Sequence, residues 1–369
     1  MPLSTLDSQR LRQALLAAQD AIGLSEPNPR VGCVIGLEDG SVLGVGSTQQ
    51  AGAAHAEVMA LRQAAAAGHD LKGATAWVSL EPCAHHGRTP PCCDALVQAG
   101  IARVVVAAVD PNPLVAGKGL QRLRAAGIRV DMGGPLHEAG TRELNIGFFS
   151  RHERGRPWVR MKAAASLDGR TALPNGASQW ITGDAARADG HAWRKRAGAV
   201  LTGIGTALAD NPRLDVRLVP TTMQPLRVVV DSRLRLPATA RLMAPPGAVL
   251  VATCDASNPA AQALRDAGAE VLGCSGVGQR VDLPKLLGEL GRRGINEVHV
   301  EAGAALNGAL LALGLVDEIL LYVAPMLLGS GAGLAAGFEL SSIDAATRFE
   351  FIETQAIDHD LRLRLHRAT

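Results

Sequence analysis

A short pattern in the first quarter of the chain constrains its possible folds more than any other feature of the sequence. His55 is followed two residues later by Glu57, and two later cysteines, Cys83 and Cys92, each come directly after a proline. One imidazole and two thiolates can hold a zinc ion while leaving a fourth coordination position open for water. The fold must then bring two separate segments of the chain together around one ion.

The local sequence predicts where these ligands lie. His55 opens a run of strong helix formers that stops at Gly68, and residues 91–100 form a second run with proline near its start and glycine at its end. His55 and Glu57 would share the first turn of one helix, and Cys92 would lie in the first turn of the other. The positive ends of two helices would favour thiolate over thiol at the metal.

Such a centre predicts hydrolytic deamination. Zinc lowers the pKa of its bound water towards neutrality, and Glu57 would carry a proton from that water to the ring nitrogen and then to the departing amine. Cys93 adjoins Cys92, but its side chain would point elsewhere on a helix, so Cys92 is the predicted ligand. The alternative is a purely structural zinc site, or a pair of buried free cysteines.

The spacing between the two cysteines carries further information. Deaminases that act on polynucleotides usually show Pro-Cys-x-x-Cys, whereas eight residues separate Cys83 from Cys92 here. The intervening loop contains His85, His86 and Arg88, which suit a phosphate or ribose group on a small substrate. The alternative is a surface loop whose charges are simply solvated.

Composition argues against several classes of protein. The net charge of +2 and the aromatic content of 3% are too small for an electrostatic or stacking platform that binds nucleic acid. No run of about eighteen apolar residues predicts a membrane span, and residues 1–23 predict an amphipathic helix rather than a signal sequence. The six cysteines lack the density of a secreted disulfide scaffold, so we expect a cytoplasmic protein.

The length of 369 residues predicts two domains, residues 1–150 and 151–369, because one hydrophobic core rarely grows this large. Hydrophobic runs predict a three-layer α/β/α first domain, and an α/β second domain whose strand-rich tail begins at Ile319. A basic cluster near the division is interpreted as a linker. Its members are Arg151, Arg154, Arg156 and Arg160. Strands of the first domain are predicted near residues 31–37, 42–46, 76–80 and 103–109, and its helices near residues 8–22, 55–67, 91–99 and 117–126.

The second domain shows no complete dinucleotide-binding fingerprint. The segment Gly203 to Gly205 lacks the third glycine, and residues 331–337 have the wrong spacing. A better candidate is the predicted strand that ends at Val300 and runs through small residues into a helix. Backbone amides at that helix start suit a pyrophosphate, although an ordinary turn between strand and helix is the alternative.

Together these motifs resemble those of the riboflavin-biosynthesis bifunctional deaminase/reductase family. The resemblance covers nearly the whole chain, in the order in which the family has its motifs. The segments that carry it are 28–34, 55–58, 81–92, 110–113, 162–171, 178–182, 210–212, 300–303 and 324–329.

The resemblance implies a cytidine-deaminase-like first domain, a dihydrofolate-reductase-like second domain and two consecutive reactions. The first would hydrolyse the 2-amino group of 2,5-diamino-6-ribosylamino-4(3H)-pyrimidinone 5′-phosphate. The second would reduce the ribosyl chain with NADPH, giving 5-amino-6-(5-phosphoribitylamino)uracil. The partners would be these small pyrimidine phosphates, with no nucleic acid and no membrane, and the sequence leaves open whether the chain forms a homo-oligomer.

The resemblance also implies site residues. It repeats His55, Cys83 and Cys92 as zinc ligands and Glu57 as the proton carrier. The residues implied around the first substrate are Asn28, His85, Arg88, Asp110 and Asn112. The residues implied to contact NADPH are Ala164, Thr171, Trp180, Thr206, Asp210, Ser232, Gly303, Ala304, Ala305, Leu306, Asn307, Gly308 and Ala309. The residues implied around the second substrate are Ser178, Arg194, Leu214, Arg217 and Glu301.

Some of these residues also have a physical rationale. The indole of Trp180 can cover a flat ring, and Arg194 and Arg217 can each bind a phosphate through two nitrogens. The general acid of the reduction stays unassigned between Glu301 and Asp210. No arginine stands out as the partner of the 2′-phosphate that distinguishes NADPH from NADH.

Two other functions compete with this one. The first is a zinc-dependent nucleoside or polynucleotide deaminase whose second domain is inactive. The second is a binding module stapled by zinc, without turnover, in which Glu57 would be dispensable.

Overall fold

A computed structural model describes residues 3–87, 90–244, 246–337 and 339–368. The chain divides into two compact units, Met1–Gly155 and Arg156–Thr369, each with its own sheet and hydrophobic core. No helix within the described ranges has the length and apolar character that crossing a membrane requires.

The first unit has a mixed sheet in the order β2-β1-β3-β4-β5. Strand β1 runs antiparallel to β2 and β3, whereas β3, β4 and β5 are parallel to one another. Its strands are β1 (Gly32–Gly36), β2 (Val42–Ser47), β3 (Thr75–Val78), β4 (Arg103–Val106) and β5 (Arg129–Met132). Its helices are α1 (Thr5–Ala18), α2 (Ala56–Ala66), α3 (Cys92–Gln98), α4 (Lys118–Ala125), α5 (Gly134–Leu144) and α6 (Ile146–Arg154).

Alternation along the strands produces three layers. Cys33 and Ile35 of β1 lie in the core that packs against α2, α3 and α4, while the intervening Val34 lies in the core with Leu11 of α1. Successive side chains of a strand point to opposite faces of the sheet, so each face can bind its own helices. The predicted α/β/α architecture is confirmed. The sequence analysis did not predict β5, α5 or α6.

Helix α2 lies unusually close to strand β2. A Cβ atom on Gly44 would lie 2.3 Å from the carbonyl oxygen of Ala60, and one on Gly46 would lie 2.4 Å from the carbonyl oxygen of Ala56. Only glycine permits this approach of helix backbone to strand backbone. The contact fixes the start of α2, where His55 is the N-cap residue.

The second unit has a sheet in the order β10-β9-β8-β7-β11-β6-β12-β14-β13, parallel from β10 to β12 and antiparallel beyond. Its strands are β6 (Trp158–Ser166), β7 (Ala199–Gly203), β8 (Leu226–Val230), β9 (Val249–Thr253), β10 (Glu270–Gly273), β11 (Glu297–Val300), β12 (Glu318–Ala324), β13 (Phe349–Ile357) and β14 (Asp360–Arg367). Its helices are α7 (Asp184–Arg196), α8 (Ile204–Asp210), α9 (Ala260–Asp266), α10 (Leu283–Arg292) and α11 (Ala304–Ala312).

Helices cover both faces of this sheet. Val228 of β8 shares a core with Leu290 of α10 and Leu310 of α11, whereas the neighbouring Val229 shares a core with Ile204 of α8 and Leu264 of α9. Such two-sided cover is typical of parallel sheets. The prediction of an α/β second domain with a strand-rich end is confirmed.

The interpretation of the basic cluster as a linker is wrong. Arg151 and Arg154 belong to α6, which runs to the last residue but one of the first unit. Arg160 lies in β6 and is fully buried between two neighbouring strands. Its guanidinium is 2.8 Å from Glu297 of β11 and 2.9 Å from Glu318 of β12. These arginines near the division therefore belong to a helix and a strand rather than to a linker. Arg160 can be buried because the strands on both sides of β6 supply carboxylates for it.

Replacing Arg160 with methionine should lower the free energy of unfolding by about 3 kcal/mol, because two buried carboxylates would lose a shared cation. The loss should not be larger, because Glu297 keeps Arg196 and Glu318 keeps Arg364. Urea unfolding of the second unit, followed by circular dichroism, measures the change.

The matched control for this variant is Arg293→Met. Arg293 also joins two glutamates, Glu270 at 2.6 Å and Glu289 at 2.8 Å, but the Glu270 side chain is 55% exposed. We expect its loss to stay below about 1 kcal/mol, as for other ion pairs near the surface. Equal losses in the two variants would contradict the prediction.

Candidate active sites

The three residues predicted to bind zinc lie together in the first unit. One ligand atom each from His55, Cys83 and Cys92 lies within 4.8 Å of the other two. The Nδ1 atom of His55 is 3.7 Å from the sulfur of Cys83 and 3.3 Å from the sulfur of Cys92. One nitrogen and two sulfur donors fit a zinc ion whose fourth position is open to water.

Two helix starts and one loop bring these ligands together. His55 is the N-cap residue of α2 and Cys92 is the first residue of α3, as the sequence predicts. The backbone N–H of Cys92 donates to the sulfur of Cys83 at 3.3 Å, and the N–H of Cys93 donates to the carbonyl of Cys83 at 3.2 Å. The thiol of Cys92, followed by His55, lowers the pKa of Cys83 to about 4, which favours the thiolate that binds metals.

The neighbouring thiol of Cys93 points away from His55. Its sulfur lies 3.3 Å from the carbonyl oxygen of Pro82 and 3.5 Å from that of Gly119, and the residue is fully buried. This geometry gives Cys92, and not Cys93, a place beside His55.

Glu57 lies in the first turn of α2, and only 3% of it is exposed. Burial, followed by the negative charge of Cys83, raises its pKa to about 6. A carboxyl group with a pKa near neutrality can accept a proton and return it within one turnover. The position of Glu57 therefore suits the role that the sequence predicts for it.

A cavity of about 350 Å³ opens beside these residues. Most residues implied by the family resemblance for the first substrate line it, namely Asn28, His85, Asp110 and Asn112. The predicted ligands His55 and Cys83 and the predicted proton carrier Glu57 line the same cavity. Arg88 lies outside the described residues. The cavity is also lined by groups for which the sequence analysis gave no role, including Glu81, Phe148, Arg151 and His152.

Glu81 organises one wall of the cavity. Its buried carboxylate accepts backbone N–H bonds from Gly117 and Gly119, both at 2.9 Å, and weaker bonds from Leu120 and Asp110. These bonds tie the chain after β3 to the start of α4 and to the chain after β4. The sequence motif contains Glu81 directly before Pro82-Cys83, but nothing local reveals that it binds backbone amides about 30 residues away.

Arg151 and His152 of α6 supply a second wall. The guanidinium of Arg151 donates to the carbonyl of Pro27 at 3.3 Å, and its charge acts on Asp110. Burial raises the pKa of Asp110 to about 7, with the charge of Glu81 adding to the effect and the N–H of Asn112 opposing it. Burial and then the charge of Arg151 lower the pKa of His152 to about 4, so its imidazole is neutral. Because the sequence analysis interpreted this segment as a linker, it gave neither Arg151 nor His152 a place at the cavity.

In the second unit, the residues implied for NADPH gather at the carboxyl ends of neighbouring parallel strands. Thr171 follows β6, Thr206 follows β7, Ser232 follows β8, and Gly303 follows β11. Ligands of open α/β sheets bind at this edge. Asp210 ends α8, and Ala164 lies within β6, where it is in register with Tyr322 of β12.

The first turn of α11 is the strongest candidate for the pyrophosphate. Gly303 is the N-cap residue and, as a glycine, has no side chain to cap the helix, while its own N–H donates to the hydroxyl of Thr206 at 3.0 Å. A Cβ on Gly308 would lie 1.8 Å from the carbonyl oxygen of Ala336, so this helix packs directly on backbone. Buried Asn307 donates to the carbonyls of Ala302 and Leu334. The uncapped amides fit a bound phosphate group.

Trp180 is exposed over 65% of its surface, and the guanidinium of Arg187 lies 4.5 Å from its ring centroid. This indole is therefore available for stacking on a planar ring. Ser178 lies close by in the sequence and is half-buried. Leu214 has a φ of +56° and is only 2% exposed, so its side chain belongs to the core rather than to an open surface.

Arg194 and Glu301 form a largely buried ion pair, with 13% and 16% of their side chains exposed. Nη2 of Arg194 is 2.8 Å from Oε2 of Glu301, its Nε is also bonded to that carboxylate, and its Nη1 donates to the carbonyl of Asp215 at 2.9 Å. Burial opposes ionisation of Glu301, but Arg194 and then His299 hold its pKa well below the usual range. The donors of Arg194 are thus occupied, which leaves Arg217 with exposed donors for a phosphate.

Lys162 of β6 is a further charged group that the sequence analysis left without a role. It lies near Glu301, and its Nζ is 5.6 Å from the ring centroid of Tyr322. Burial lowers its pKa and the charge of Glu301 opposes that shift. The local sequence gives no signal for this position, because β6 also contains Arg160 and the groups around Lys162 come from other strands.

Comparisons with known proteins agree with both sites. The family model described as the cytidine and deoxycytidylate deaminase zinc-binding region matches residues 4–108. The family model described as the RibD C-terminal domain matches residues 157–363.

Full-length relatives match as well. The chain is 45% identical to the riboflavin biosynthesis protein RibD of Escherichia coli K12, over 97% of this chain and 99% of that protein. It is 44% identical to RibD of Acinetobacter baumannii, with a TM-score of 0.89 and 99% of each chain covered. It is 32% identical to the diaminohydroxyphosphoribosylaminopyrimidine deaminase/5-amino-6-(5-phosphoribosylamino)uracil reductase of Thermotoga maritima, with a TM-score of 0.87 and 98% and 99% coverage. The chain belongs to the RibD family of riboflavin biosynthesis proteins.

Proposed function

We propose that the deaminase activity of this bifunctional enzyme resides in residues 1–150 and its reductase activity in residues 151–369. The enzyme acts in riboflavin biosynthesis as a deaminase and a reductase, with zinc and NADPH as cofactors. The matches to a deaminase family over residues 4–108 and to the RibD C-terminal domain over residues 157–363 support the proposed division. The alternative of a deaminase with an inactive second domain is not favoured, because the reductase match spans nearly that whole domain.

The group formed by His55, Cys83 and Cys92, with Glu57 lining the same cavity, carries the proposal for the first reaction. Zinc held by these three ligands supplies a Lewis acid that makes water nucleophilic near neutral pH. Glu57 takes one proton from the attacking water and delivers it to the ring nitrogen. It then takes the second proton, from the hydroxyl group now on the ring carbon, and delivers it to the amine, which leaves as ammonia while the carbonyl forms. The burial of Glu57 keeps these protons away from bulk solvent.

We infer that the first substrate is 2,5-diamino-6-ribosylamino-4(3H)-pyrimidinone 5′-phosphate. The cavity offers hydrogen-bonding groups for a pyrimidine from Asn28, Asp110 and Asn112. His85 and Arg151 supply cationic or donor groups at the same cavity, and Arg88 is predicted to add another. Zinc-dependent deamination of a small pyrimidine phosphate needs metal ligands, groups that bind the pyrimidine ring and groups that bind the phosphate.

For the second reaction, NADPH supplies the hydride. The residues Gly303 to Ala309, with Ala164, Thr171, Thr206, Asp210 and Ser232, hold the dinucleotide, and Trp180 covers a planar ring. Arg217 binds the substrate phosphate, while Arg194 orients Glu301.

Reduction at the first ribose carbon breaks its bond to the ring oxygen, which then needs a proton. Lys162, half-buried beside Glu301, is placed to deliver it. Ser178 and Leu214 complete the proposed substrate contacts, the latter through its backbone.

We place the enzyme in the cytoplasm, where NADPH is available. The thiols support this location, because Cys33, Cys83, Cys92, Cys93, Cys254 and Cys274 are all free. Its partners are then small pyrimidine phosphates rather than nucleic acid or membrane.

Replacing Cys92 with serine should remove most of the zinc, while Cys93→Ser should leave it in place. Of these two sulfurs, that of Cys92 lies beside His55, whereas that of Cys93 faces the carbonyl oxygen of Pro82. We expect the Cys92 variant to lose at least about tenfold in zinc affinity, since changes to groups that merely orient a ligand already cost about 10–100-fold. Atomic emission of the purified proteins and competition with a chelator measure this. Loss of zinc in the Cys93 variant alone would reverse the ligand assignment.

Replacing Glu57 with glutamine should lower the rate of ammonia release by about 10²–10⁴-fold, because the proton carrier is lost while the ligands remain. Zinc content, and NADPH oxidation with the deaminated substrate, should be retained. Ammonia detection and loss of NADPH absorbance measure the two activities separately. The control is Glu38→Gln, an exposed acid of the same unit. Unchanged ammonia release in the Glu57 variant would remove this residue from the mechanism and favour a structural zinc site.

Replacing Arg217 with serine should raise the KM for the deaminated substrate by about tenfold with little change in kcat, because a charged hydrogen bond to phosphate is lost. Arg213 provides the matched control, since Arg213 and Arg217 both pair with Asp215, at 2.8 Å and 2.7 Å. Arg213→Ser should leave the KM within about twofold, as expected for a surface ion pair. Equal effects of the two substitutions would indicate a role through Asp215 rather than through phosphate.

A further inference from the structure

The chain between β12 and β13 contains a glycine-rich segment, residues 328–337, whose spacing does not fit a dinucleotide-binding fingerprint. Four of its ten residues are glycine and three are alanine. Such a segment loses much conformational entropy when it is ordered, because glycine has more backbone freedom than any other residue. The segment nevertheless has defined bonding partners at its start, middle and end, so particular contacts hold it in place.

A single carboxylate binds the start of the segment. Asp168 lies in the turn after β6, and its two oxygens accept the N–H groups of Leu328 at 3.1 Å and Gly329 at 2.8 Å. The hydroxyl of Ser166, followed by the N–H of Leu328, lowers the pKa of Asp168 to about 2, so this carboxylate is charged near neutral pH. Arg170 supports the same contact, since its Nε donates to the carbonyl of Gly329 at 3.1 Å.

The middle of the segment pairs with the chain after β6. The N–H of Thr171 donates to the carbonyl of Ala332 at 2.8 Å, and the N–H of Ala332 donates to the carbonyl of Ala172 at 3.0 Å. The hydroxyl of Thr171 donates to the carbonyl of Gly333 at 3.1 Å. A Cβ atom on Gly331 would lie 2.1 Å from the carbonyl oxygen of Ala172, so a glycine is needed for this close pairing. The segment thus orients the hydroxyl of Thr171, one of the residues proposed to hold NADPH.

The end of the segment lies on the first turns of α11. The N–H of Ala336 donates to the carbonyl of Ala304 at 2.9 Å, and the side-chain amide of Asn307 donates to the carbonyl of Leu334 at 3.0 Å. Gly308 leaves the space that the carbonyl oxygen of Ala336 occupies. The helix residues in these contacts belong to the stretch proposed to hold the pyrophosphate.

The segment therefore connects two groups of proposed cofactor residues that come from different strands. Thr171 follows β6 and α11 follows β11, and these two strands are neighbours in the sheet. Displacement of the segment would disturb Thr171 and the start of α11 together. A segment that is already ordered keeps both groups in place, so less conformational entropy is lost when the dinucleotide binds.

We propose that Asp168 is a positioning residue of the reductase, which anchors residues 328–337 and so holds Thr171 and the start of α11 in the arrangement that binds NADPH. The inference rests on the proposed placement of the dinucleotide at α11. Asp168 acts through the segment rather than on the reacting atoms. Its removal should therefore weaken the binding of NADPH and of NADH alike, and leave the hydride-transfer step unaffected.

Calorimetric titration of the full-length, zinc-loaded protein with NADP⁺ and with NAD⁺ tests the proposal without relying on turnover. Asp168→Ala should weaken the binding of both nucleotides by about tenfold, because the charged acceptor of two amides is lost. Asp168→Asn retains one acceptor oxygen and should weaken both by about threefold. Asp168→Ala should also raise the KM for NADPH by about tenfold, with kcat within about twofold and ammonia release unchanged.

Hydrogen exchange followed by mass spectrometry reports on the segment itself. Without nucleotide, peptides that cover residues 328–337 should exchange at least about tenfold faster in Asp168→Ala than in the wild-type protein, because their amides open more readily. Peptides from the strands of the second unit should exchange as in the wild-type protein. The urea midpoint should also be unchanged, whereas a general loss of stability would lower it.

Two aspartates provide controls. Asp39 also accepts a serine hydroxyl and a backbone N–H, both from Ser41, but it lies in the first unit. Asp266 lies in the second unit, at the end of α9, and accepts the side-chain amide of Gln262 at 2.7 Å. Alanine at either position should leave nucleotide binding and the exchange of residues 328–337 unchanged.

The proposal is overturned if Asp168→Ala leaves either the nucleotide affinity or the exchange of residues 328–337 unchanged. It is also overturned if the variant lowers kcat while the KM for NADPH stays the same, since that result would place Asp168 at the reacting atoms. Failure of the wild-type protein to bind either nucleotide would refute the proposed cofactor site, and this proposal with it.

Discussion

The geometry of the deaminase centre depends on the close contact between helix α2 and strand β2. Gly44 and Gly46 let the helix backbone lie against the strand backbone, and no side chain could occupy that space. The start of α2 is therefore fixed relative to the sheet. His55 and Glu57 occupy that start, so a contact between two backbones sets the position of one proposed zinc ligand and of the proposed proton carrier. Glu81, two residues before Cys83, ties this part of the chain to the backbone amides of Asp110, Gly117, Gly119 and Leu120.

The reductase site follows a different principle. Its residues come from the ends of several parallel strands, and few of them form a local motif. Thr206 bonds to Gly303 across two strand ends, and Arg194 of α7 reaches Glu301 at the end of β11. A parallel sheet brings such residues to one edge because every strand ends there. The amides at the start of α11, the exposed indole of Trp180 and the half-buried Lys162 are the groups that we propose for the dinucleotide and its substrate.

The first site could be predicted from the sequence in much greater detail than the second. The spacing of His55, Glu57, Cys83 and Cys92 is carried by residue types with specific chemistry and by local helix signals, and the structure places all four together. Arg151 and His152 were missed because a cluster of basic residues in sequence is equally typical of a linker. In the second unit, Lys162 was missed because a single lysine in a strand carries no signal until its neighbours are known. The roles of the individual cofactor and substrate residues remain predictions.

The sequence by itself determined the metal chemistry, the two-domain organisation and the family, because ligand types, their order and the alternation of strands and helices are local properties of the chain. Only the tertiary structure decided which of several similar arginines are buried, paired or open to a ligand. Arg160 is paired with glutamates of the two neighbouring strands, one of them 137 residues away, whereas Arg217 remains exposed. Whether an arginine is buried and paired depends on the side chains of the strands that lie beside its own, not on the residues next to it in the sequence. The order of strands in the sheet, which only the tertiary structure gives, decides which strands those are.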